Sequence, residues 1–265
     1  MYTSILLTAI CAASTISASP LLLQPRENSS SSTNSSSTTA STPTRPEPQP
    51  LPDLLKTLAQ QPTTVDRFSE LLKTDAKAAP LKFDFNPGAN APFRSPGGGV
   101  ILANRKNFAP LIDLSISSAV GFMKPCSINT AHTHPRATEF LTVVAGQIET
   151  GFILENGLAT QISTTLTRYQ GTVFPVGSIH FQVNSQCEDA VFVAGLNSDD
   201  PGASSVAQNF FALSPDVVQA TLGFPEAIDG GNFLKFKDSI PVPFARGVEE
   251  CLTHCGIPMS EGEKA

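Results

Sequence analysis

The chain has 265 residues, of which 15% are charged and 40% are hydrophobic, and its formal net charge is −6. This length accommodates one sizeable domain with extensions. An acidic chain without a basic stripe cannot neutralise phosphates, so composition excludes nucleic acid as the expected partner. At the N-terminus a short apolar run, residues 5–13, is followed by small residues. This order predicts a secretory signal peptide at 1–18, and since no later run is long and apolar enough, we expect no membrane span.

Residues 19–50 are rich in Ser and Thr and then in Pro. A segment with so few apolar groups cannot offset the entropy lost on ordering, so we predict a disordered linker. It contains glycosylation sequons at Asn28 and Asn34. The linker could therefore carry glycans, or it could serve as a plain spacer.

Apolar residues then recur at helical spacing, which predicts an N-terminal helical extension at 51–82. We expect Pro62 to end a first helix and Thr64 to cap a second one. Residues 86–99 are rich in Pro, Gly and Asn, so they are predicted to form a loop.

Between residues 100 and 196 the pattern changes to short apolar or alternating runs separated by Gly, Pro and Asn. These runs are GVILA, LIDLSISSAVGF, EFLTVVAGQIETGFI, LATQISTTL, GTVFPVG, HFQVNS and AVFVAGL. The tripeptide ENG at 155–157 is a strong hairpin signal. Short strands without intervening helices predict a mainly β domain, a closed barrel or a sandwich, at 83–212. The helical pattern returns in an extension at 213–265, with Ser214 as a cap before Pro215 and a short terminal helix in GVEECLTHC.

Removal of the signal peptide would leave four cysteines, Cys126, Cys187, Cys251 and Cys255. An even number of cysteines in a secreted chain predicts two disulfides, and four cysteines allow three pairings. We expect Cys126 to pair with Cys187 and Cys251 with Cys255.

Three of the four histidines fall in two short segments. His132 and His134 are two residues apart, so in a strand their side chains would share a face. We expect Pro135 to bend the strand so that Glu139 rejoins that face. His180 begins a later strand after a turn containing Pro and Gly. These four side chains are the candidate ligands of a metal ion.

Three imidazoles and one carboxylate form a mixed nitrogen and oxygen set, which suits a first-row divalent metal such as Mn, Fe, Ni, Cu or Zn. A six-coordinate ion held by four side chains keeps two positions for water, substrate or dioxygen. The alternative is that these histidines are ordinary surface or core residues. We expect the fourth, His254, to lie on the surface.

Two segments resemble the sequence motifs of the germin-like cupins. The first, HTHPRATEFLTVVAGQIETGF, follows the pattern G(X)5HXH(X)3,4E(X)6G, with matches at His132, His134, Glu139 and Gly146. The second, GTVFPVGSIHFQVN, follows G(X)5PXG(X)2H(X)3N, with matches at Pro175, Gly177, His180 and Asn184. The leading glycines of the two motifs are replaced by Cys126 and Tyr169. Neither is a ligand position, so the replacements concern how the chain enters each strand.

The resemblance, over residues 83–222, is to germin-like and spherulin-like proteins of the secreted, fungal type. It implies a cupin jelly-roll β-barrel with flanking N- and C-terminal helices. It also implies Mn2+ at the three histidines and Glu139, location outside the cell or in the cell wall, and a homo-oligomer, either a trimer or a hexamer.

In the oxalate-oxidising germins, an asparagine shortly before the first ligand histidine helps to hold the substrate carboxylate. Asn129 matches that position and is the candidate catalytic residue, since its amide could donate to a bound carboxylate. The alternative role is that of a turn residue. Gln182 and Asn184 follow His180 on the same face of a regular strand.

The resemblance thus favours an oxidoreductase acting on a small carboxylate such as oxalate, or on superoxide. The competing hypothesis is a secreted protein of the cell wall, spore coat or stress response, in which the metal stabilises the fold and the linker contacts a matrix. A cupin that binds a sugar or a hormone is a third possibility, because the pocket walls cannot be read from the sequence.

Overall fold

The structure is a computed structural model that describes residues 53–73, 81–88, 95–157, 160–223, 232–233, 235, 240–241, 244–246 and 249–258. All of them belong to one unit, Pro50–Ala265. The expected signal peptide, the linker and the sequons at Asn28 and Asn34 lie outside the described residues. Within the described part of the chain, no helix has the length and apolar character needed to cross a membrane.

Strands dominate the central region and helices flank it. The strands are β1 (Gly98–Ala103), β2 (Ser117–Met123), β3 (Ser127–Thr133), β4 (Glu139–Ala145), β5 (Gln147–Ile153), β6 (Ile162–Thr167), β7 (Gly171–Phe174), β8 (Ile179–Asn184), β9 (Ala190–Leu196), β10 (Ser204–Ser205) and β11 (Phe244–Arg246). The helices are α1 (Asp53–Ala59), α2 (Thr64–Lys73), α3 (Val206–Phe210), α4 (Pro215–Thr221) and α5 (Glu249–His254), with a 3-10 helix at Ala109–Leu111.

The strands form two antiparallel sheets, in agreement with the expected mainly β jelly roll. One sheet has the order β1-β2-β9-β4-β7, and the other has the order β10-β3-β8-β5-β6, with β11 also paired to β3. Burial alternates along β2 and β8, as it must where one face of a strand packs inward. The inward faces of both sheets form a common core. Its fully buried members include Leu141, Val143 and Ile148.

Two details of the predicted strands differ from the structure. The run LIDLSISSAVGF becomes strand only at Ser117, because Asp113 and Ser115 adopt left-handed backbone angles that end extended structure. The ENG sequence lies in the β5–β6 hairpin, as predicted, and its Gly157 has a φ of 118°. The hairpin loop is longer than a two-residue turn, since pairing resumes at Phe152 with Ile162.

The N-terminal segment contains the helices α1 and α2, and the cap of α2 is one residue earlier than expected. Thr63 Oγ1 accepts a hydrogen bond from the backbone N–H of Asp66, at 3.1 Å, so Thr63 rather than Thr64 is the cap. The two helices pack on each other and on Ile112. Arg67 also donates to the Asp113 carboxylate at 2.7 Å, which fastens α2 beside the barrel.

The predicted disulfide pairing was wrong. Cys126 is bonded to Cys251, and Cys187 is bonded to Cys255. The reason lies in the path of the C-terminal extension. Strand β11 pairs antiparallel with the start of β3, so the chain that follows it brings α5 alongside the turn before β3 and the loop after β8. Cys251 in α5 and Cys255, which directly follows this helix, then each bond a barrel cysteine instead of each other.

The two residues that replace motif glycines keep the backbone conformation that favours glycine. Cys126 has a φ of 53° and Tyr169 a φ of 66°, both in the left-handed region. Each therefore serves the turn into the strand that follows, β3 or β7. Cys126 is held in place by its disulfide to Cys251.

Candidate metal centre

The four candidate ligands converge inside the sandwich from three different places. His132 in β3 and His180 in β8 are directly paired across the six-stranded sheet. Glu139 is the first residue of β4 in the other sheet. His134 lies in the link between β3 and β4. One ligand atom from each of the four residues lies within 4.8 Å of the others, so the side chains form a single cluster.

Glu139 reaches the cluster by a different route from the one predicted. We expected it to return to the face of the strand that carries the histidines. Instead, the link around Pro135 carries the chain from the six-stranded sheet to the five-stranded sheet, and Glu139 projects from the opposite wall. The cluster therefore joins the two sheets.

A β-bulge places Asn129 beside the cluster. In a regular strand, Asn129 and His132 would point to opposite faces, because they are three positions apart. Asn129 pairs with Gln182 and His132 pairs with His180, so β3 has one more residue than β8 between these positions. The extra residue restores both side chains to the interior, where Asn129 and His132 are 7% and 8% exposed.

Backbone carbonyls orient all three imidazole rings. The Nδ1 atom of His132 lies 2.7 Å from the Thr130 carbonyl oxygen, that of His134 lies 2.6 Å from the Gly202 oxygen, and that of His180 lies 3.0 Å from the Ser178 oxygen. A carbonyl oxygen only accepts, so each Nδ1 must carry the proton. In the neutral rings, the lone pair is then on Nε2, which is the arrangement seen in histidine ligands of metals.

The Gly202 carbonyl is itself fixed by the neighbouring loop. Arg136 donates from Nε to the Asp200 carbonyl at 2.7 Å and pairs with the Asp200 carboxylate at 2.9 Å. Gly202 has a φ of 69°, and a Cβ at this position would lie 2.9 Å from the guanidinium of Arg136. The segment GLNSDDPG, residues 195–202, thus supplies a carbonyl group that holds His134.

The charges of the cluster are set by burial and by the contacts between its members. Burial, followed by the neighbouring His180, lowers the pKa of His132 to about 4. Burial opposes the ionisation of Glu139, but the hydrogen bond from His134 and the proximity of His180 lower its pKa to about 2. Burial also opposes the protonation of His134, yet its hydrogen bond to Glu139, at 2.9 Å, raises the pKa of that ring. Glu139 is therefore a carboxylate at neutral pH.

These properties fit a divalent cation. His180 Nε2 is buried, lies 3.4 Å from a Glu139 oxygen and makes no hydrogen bond to any described residue. A buried polar atom without a partner needs a ligand or an ion to satisfy it. The donors are three imidazoles and one ionised carboxylate, the mixed set that first-row metals accept. His254, by contrast, is exposed, as predicted.

A cavity of about 220 Å3 adjoins the cluster. His132, His134 and Glu139 form part of its wall, together with Asn129 and Gln182. The Nδ2 atom of Asn129 donates to Gln182 Oε1 at 2.6 Å, which leaves Gln182 Nε2 buried without a partner among the described residues. The sequence predicted that Gln182 lies on the same strand face as His180. The pairing of Gln182 with Asn129 depends on the register between β3 and β8, which cannot be predicted from the sequence.

Comparison with known proteins agrees with the fold and the motifs. Residues 85–228 match the family model described as Cupin. Spherulin-1A of Physarum polycephalum is 37% identical over 78% of this chain and 80% of its own length. Germin-like protein 8-5 of Oryza sativa subsp. japonica is 33% identical over 70% of this chain and 83% of its own length.

A solved structure of oxalate oxidase in complex with the substrate analogue glycolate shares the fold, with a TM-score of 0.53 and 24% identity over 62% of this chain and 84% of that one. The family model covers more than half of the chain, and the three histidines and the glutamate of the two motifs lie together in its structure. The chain belongs to the cupin family, as a germin-like and spherulin-like member.

Proposed function

We propose that the chain is a secreted manganese-binding cupin that acts as an oxidoreductase on a small carboxylate. The observation that supports this proposal is the buried cluster of three Nε2 atoms and one carboxylate that borders a cavity. His132, His134, His180 and Glu139 would hold the metal. A bound manganese ion would supply Lewis acidity towards a carboxylate and one-electron chemistry towards dioxygen.

The protein's own residues prepare the site for this chemistry. Glu139 is ionised, because its pKa is lowered to about 2, so it brings one negative charge to the ion. The carbonyls of Thr130, Gly202 and Ser178 fix the ring orientations. These interactions would hold the ligand atoms in place without the protein having to rearrange during the reaction.

The amide pair beside the cluster is suited to orienting a carboxylate. Gln182 is 1% exposed and its Nε2 has hydrogens to donate, while Asn129 keeps Gln182 in place through the 2.6 Å hydrogen bond. Asn129, the predicted catalytic residue, also borders the cavity, and one of its two amide hydrogens remains to contact a substrate. We assign substrate orientation to the two amides together.

Location outside the cell is part of the same proposal. The two disulfides are stable in an oxidising compartment and are uncommon in the cytosol. They support the secretion expected from the N-terminal sequence. A secreted full-length protein with both disulfides is therefore the form to assay.

The test is metal analysis and activity of the purified, secreted chain. We expect a single ion per chain, with manganese predominating, and turnover of a small carboxylate, assayed first with oxalate, that follows metal content. Glu139→Gln and His180→Ala should lose most of the metal. His254→Ala is the matched control, since it removes an exposed histidine outside the cluster and should keep full occupancy.

Each outcome has a distinct meaning. Full metal occupancy in both cluster variants would refute the ligand assignment. Manganese bound stoichiometrically, with no turnover of carboxylates, would refute the proposed oxidoreductase. If superoxide is not turned over either, the result would favour a metal-stabilised structural protein.

A further inference from the structure

The cavity beside the cluster has a polar end and an apolar wall. The apolar side chains come from β1, β2 and β9 of the five-stranded sheet and are Val100, Leu102, Ala119, Phe192, Ala194 and Leu196. Four of them, Ala119, Phe192, Ala194 and Leu196, are at most 6% exposed. The polar lining residues are His132, His134 and Glu139 of the cluster, together with Asn129, Gln182 and Ser205. A ligand that fills this space must therefore change from polar to apolar along its length.

The cavity is larger than a very small acid requires. Its volume is about 220 Å3. For comparison, an apolar protein cavity of about 150 Å3 accommodates benzene. There is room for a hydrocarbon body of about six carbons beside the polar end. Oxalate has no hydrocarbon and would leave the apolar wall without a contact.

The charges of the residues that line the cavity narrow the class of ligand further. None of the described residues that line the cavity is a lysine or an arginine. A second carboxylate placed against the apolar wall would be desolvated without a partner, which is strongly unfavourable. A dicarboxylate longer than oxalate therefore fits poorly, whereas an apolar group at the same position is favoured by leaving water.

We propose that the preferred ligand is a monocarboxylate with an apolar body, either aliphatic or phenyl-bearing, of about six carbons. Its carboxylate faces the cluster and Gln182, and its hydrocarbon lies against the wall formed by β1, β2 and β9. This assignment rests on the proposed function, because the cluster's metal anchors the carboxylate. It goes beyond that function by naming the class of acid.

The first experiment measures binding of a series of acids to the manganese-loaded full chain by calorimetry. The series is acetate, butanoate, hexanoate and phenylacetate, with oxalate and succinate for comparison. Each methylene buried against the wall should tighten binding about fourfold until the cavity is full. Butanoate and succinate form a matched pair that differs by a methyl and a carboxylate, and butanoate should bind at least tenfold more tightly.

The second experiment reduces the cavity volume by enlarging one residue of the apolar wall. Ala119→Leu adds volume on β2 and should bring the affinity for hexanoate down towards that for acetate. Ala212→Leu is the control, because Ala212 is exposed and is not among the residues that line the cavity. The chain-length series on the unchanged protein does not depend on either variant, so a misfolded variant leaves the proposal testable.

The outcomes separate this inference from the function on which it rests. Metal bound, with no dependence on chain length and with oxalate tighter than hexanoate, would overturn the assignment of the apolar acid and leave the metal-dependent oxidase standing. A chain that binds no metal would overturn both. Tightening from acetate to hexanoate, lost in Ala119→Leu and kept in Ala212→Leu, would support the assignment.

Discussion

At the scale of single residues, three backbone carbonyls determine what the histidines can do. Each carbonyl accepts from an Nδ1, so each neutral ring presents the lone pair of Nε2 to the cluster. His134 adds a second function. It also contacts Glu139 through Nε2 at 2.9 Å, which in the absence of metal requires a proton at that nitrogen. The proton and a metal ion therefore compete for the same atom.

Backbone strain is the second residue-scale feature. Tyr169 is 70% exposed but adopts a φ of 66°, where the family motif has glycine. Its backbone N–H donates to the Val143 carbonyl at 2.7 Å, so the turn is fixed by main-chain pairing with β4 rather than by the ring. A side chain in this conformation costs about 1 kcal/mol relative to glycine.

We predict that Tyr169→Gly is more stable than Tyr169→Ala by about 0.5–1 kcal/mol, because glycine relieves the strain and alanine retains it. Glycine gains some entropy in the unfolded chain, which reduces the difference. Urea unfolding of both variants measures it. Equal stability of the two variants would show that the turn imposes no strain at residue 169.

At the scale of secondary structure, β3 is the strand on which the site depends. It carries His132, and its bulge brings Asn129 to the interior. Its outer edge is covered by β10 beside His132 and by β11 beside Asn129. β11 leads towards α5, and two disulfides, through Cys251 in α5 and Cys255 just after it, tie this part of the chain to the barrel. The C-terminal extension therefore supports the strand that forms the site.

We predict that breaking the Cys126–Cys251 bond, by Cys126→Ser with Cys251→Ser, lowers the unfolding free energy by about 2–4 kcal/mol. The C-terminal extension should also become more sensitive to proteases, because one of its two covalent links to the barrel is lost. Thermal unfolding and timed proteolysis of the intact, metal-loaded chain measure the two effects.

Both cysteines of a bond must be replaced together. Cys255 Sγ lies 3.5 Å from Cys126 Sγ, so a thiol left by a single substitution could exchange with the remaining disulfide. The matched comparison is Cys187→Ser with Cys255→Ser, which breaks the other link. Unchanged stability and proteolysis in both double variants would contradict a supporting role for the extension.

At the scale of the whole molecule, the sequence predicted local features such as strands and ligand residues. It did not predict which sheet each strand joins or where the C-terminal extension runs. Alternating runs predicted the β domain, and the spacing of His132, His134, Glu139 and His180 predicted the set of residues that converges. Periodicity could not show that Glu139 belongs to the opposite sheet, because a strand pattern does not specify which sheet the strand joins. The disulfide pairing depends on where β11 lies, and a three-residue strand leaves almost no signal in the sequence. The position of Asn129 beside the cluster, paired with Gln182, depends on a β-bulge in β3, and no residue type in this strand predicts that bulge.

Because the candidate ligands come from both sheets, metal binding should stabilise the folded protein. His132 and His180 come from one sheet and Glu139 from the other, so a metal held by all of them links the two halves of the sandwich. A ligand that binds only the folded state raises the unfolding free energy by about 2.7 kcal/mol when its concentration is a hundred times its Kd. We therefore predict that chelation lowers the melting temperature.

The stability lost on chelation should depend on pH and should be larger at higher pH. The raised pKa of His134 means that its pair with Glu139 stabilises the metal-free protein below the unfolded pKa of about 6.5, and this contribution is lost as pH rises through the raised value. Glu139, with a pKa of about 2, remains ionised throughout this range. Metal binding must displace the His134 proton, so metal affinity rises with pH, by about tenfold per unit for one proton.

Because the proton and the metal compete for His134, the stability difference between the metal-loaded and chelated protein should widen from pH 5.5 to pH 8. With metal in excess, the widening should approach about 1.4 kcal/mol per pH unit below the pKa of His134. Calorimetric melting at several pH values measures it. In Glu139→Gln the charge that raises the pKa of His134 is absent, so the difference should be smaller and its pH dependence weaker. A difference that is the same at pH 5.5 and pH 8 in the unchanged protein would mean that no proton leaves His134 when the metal binds.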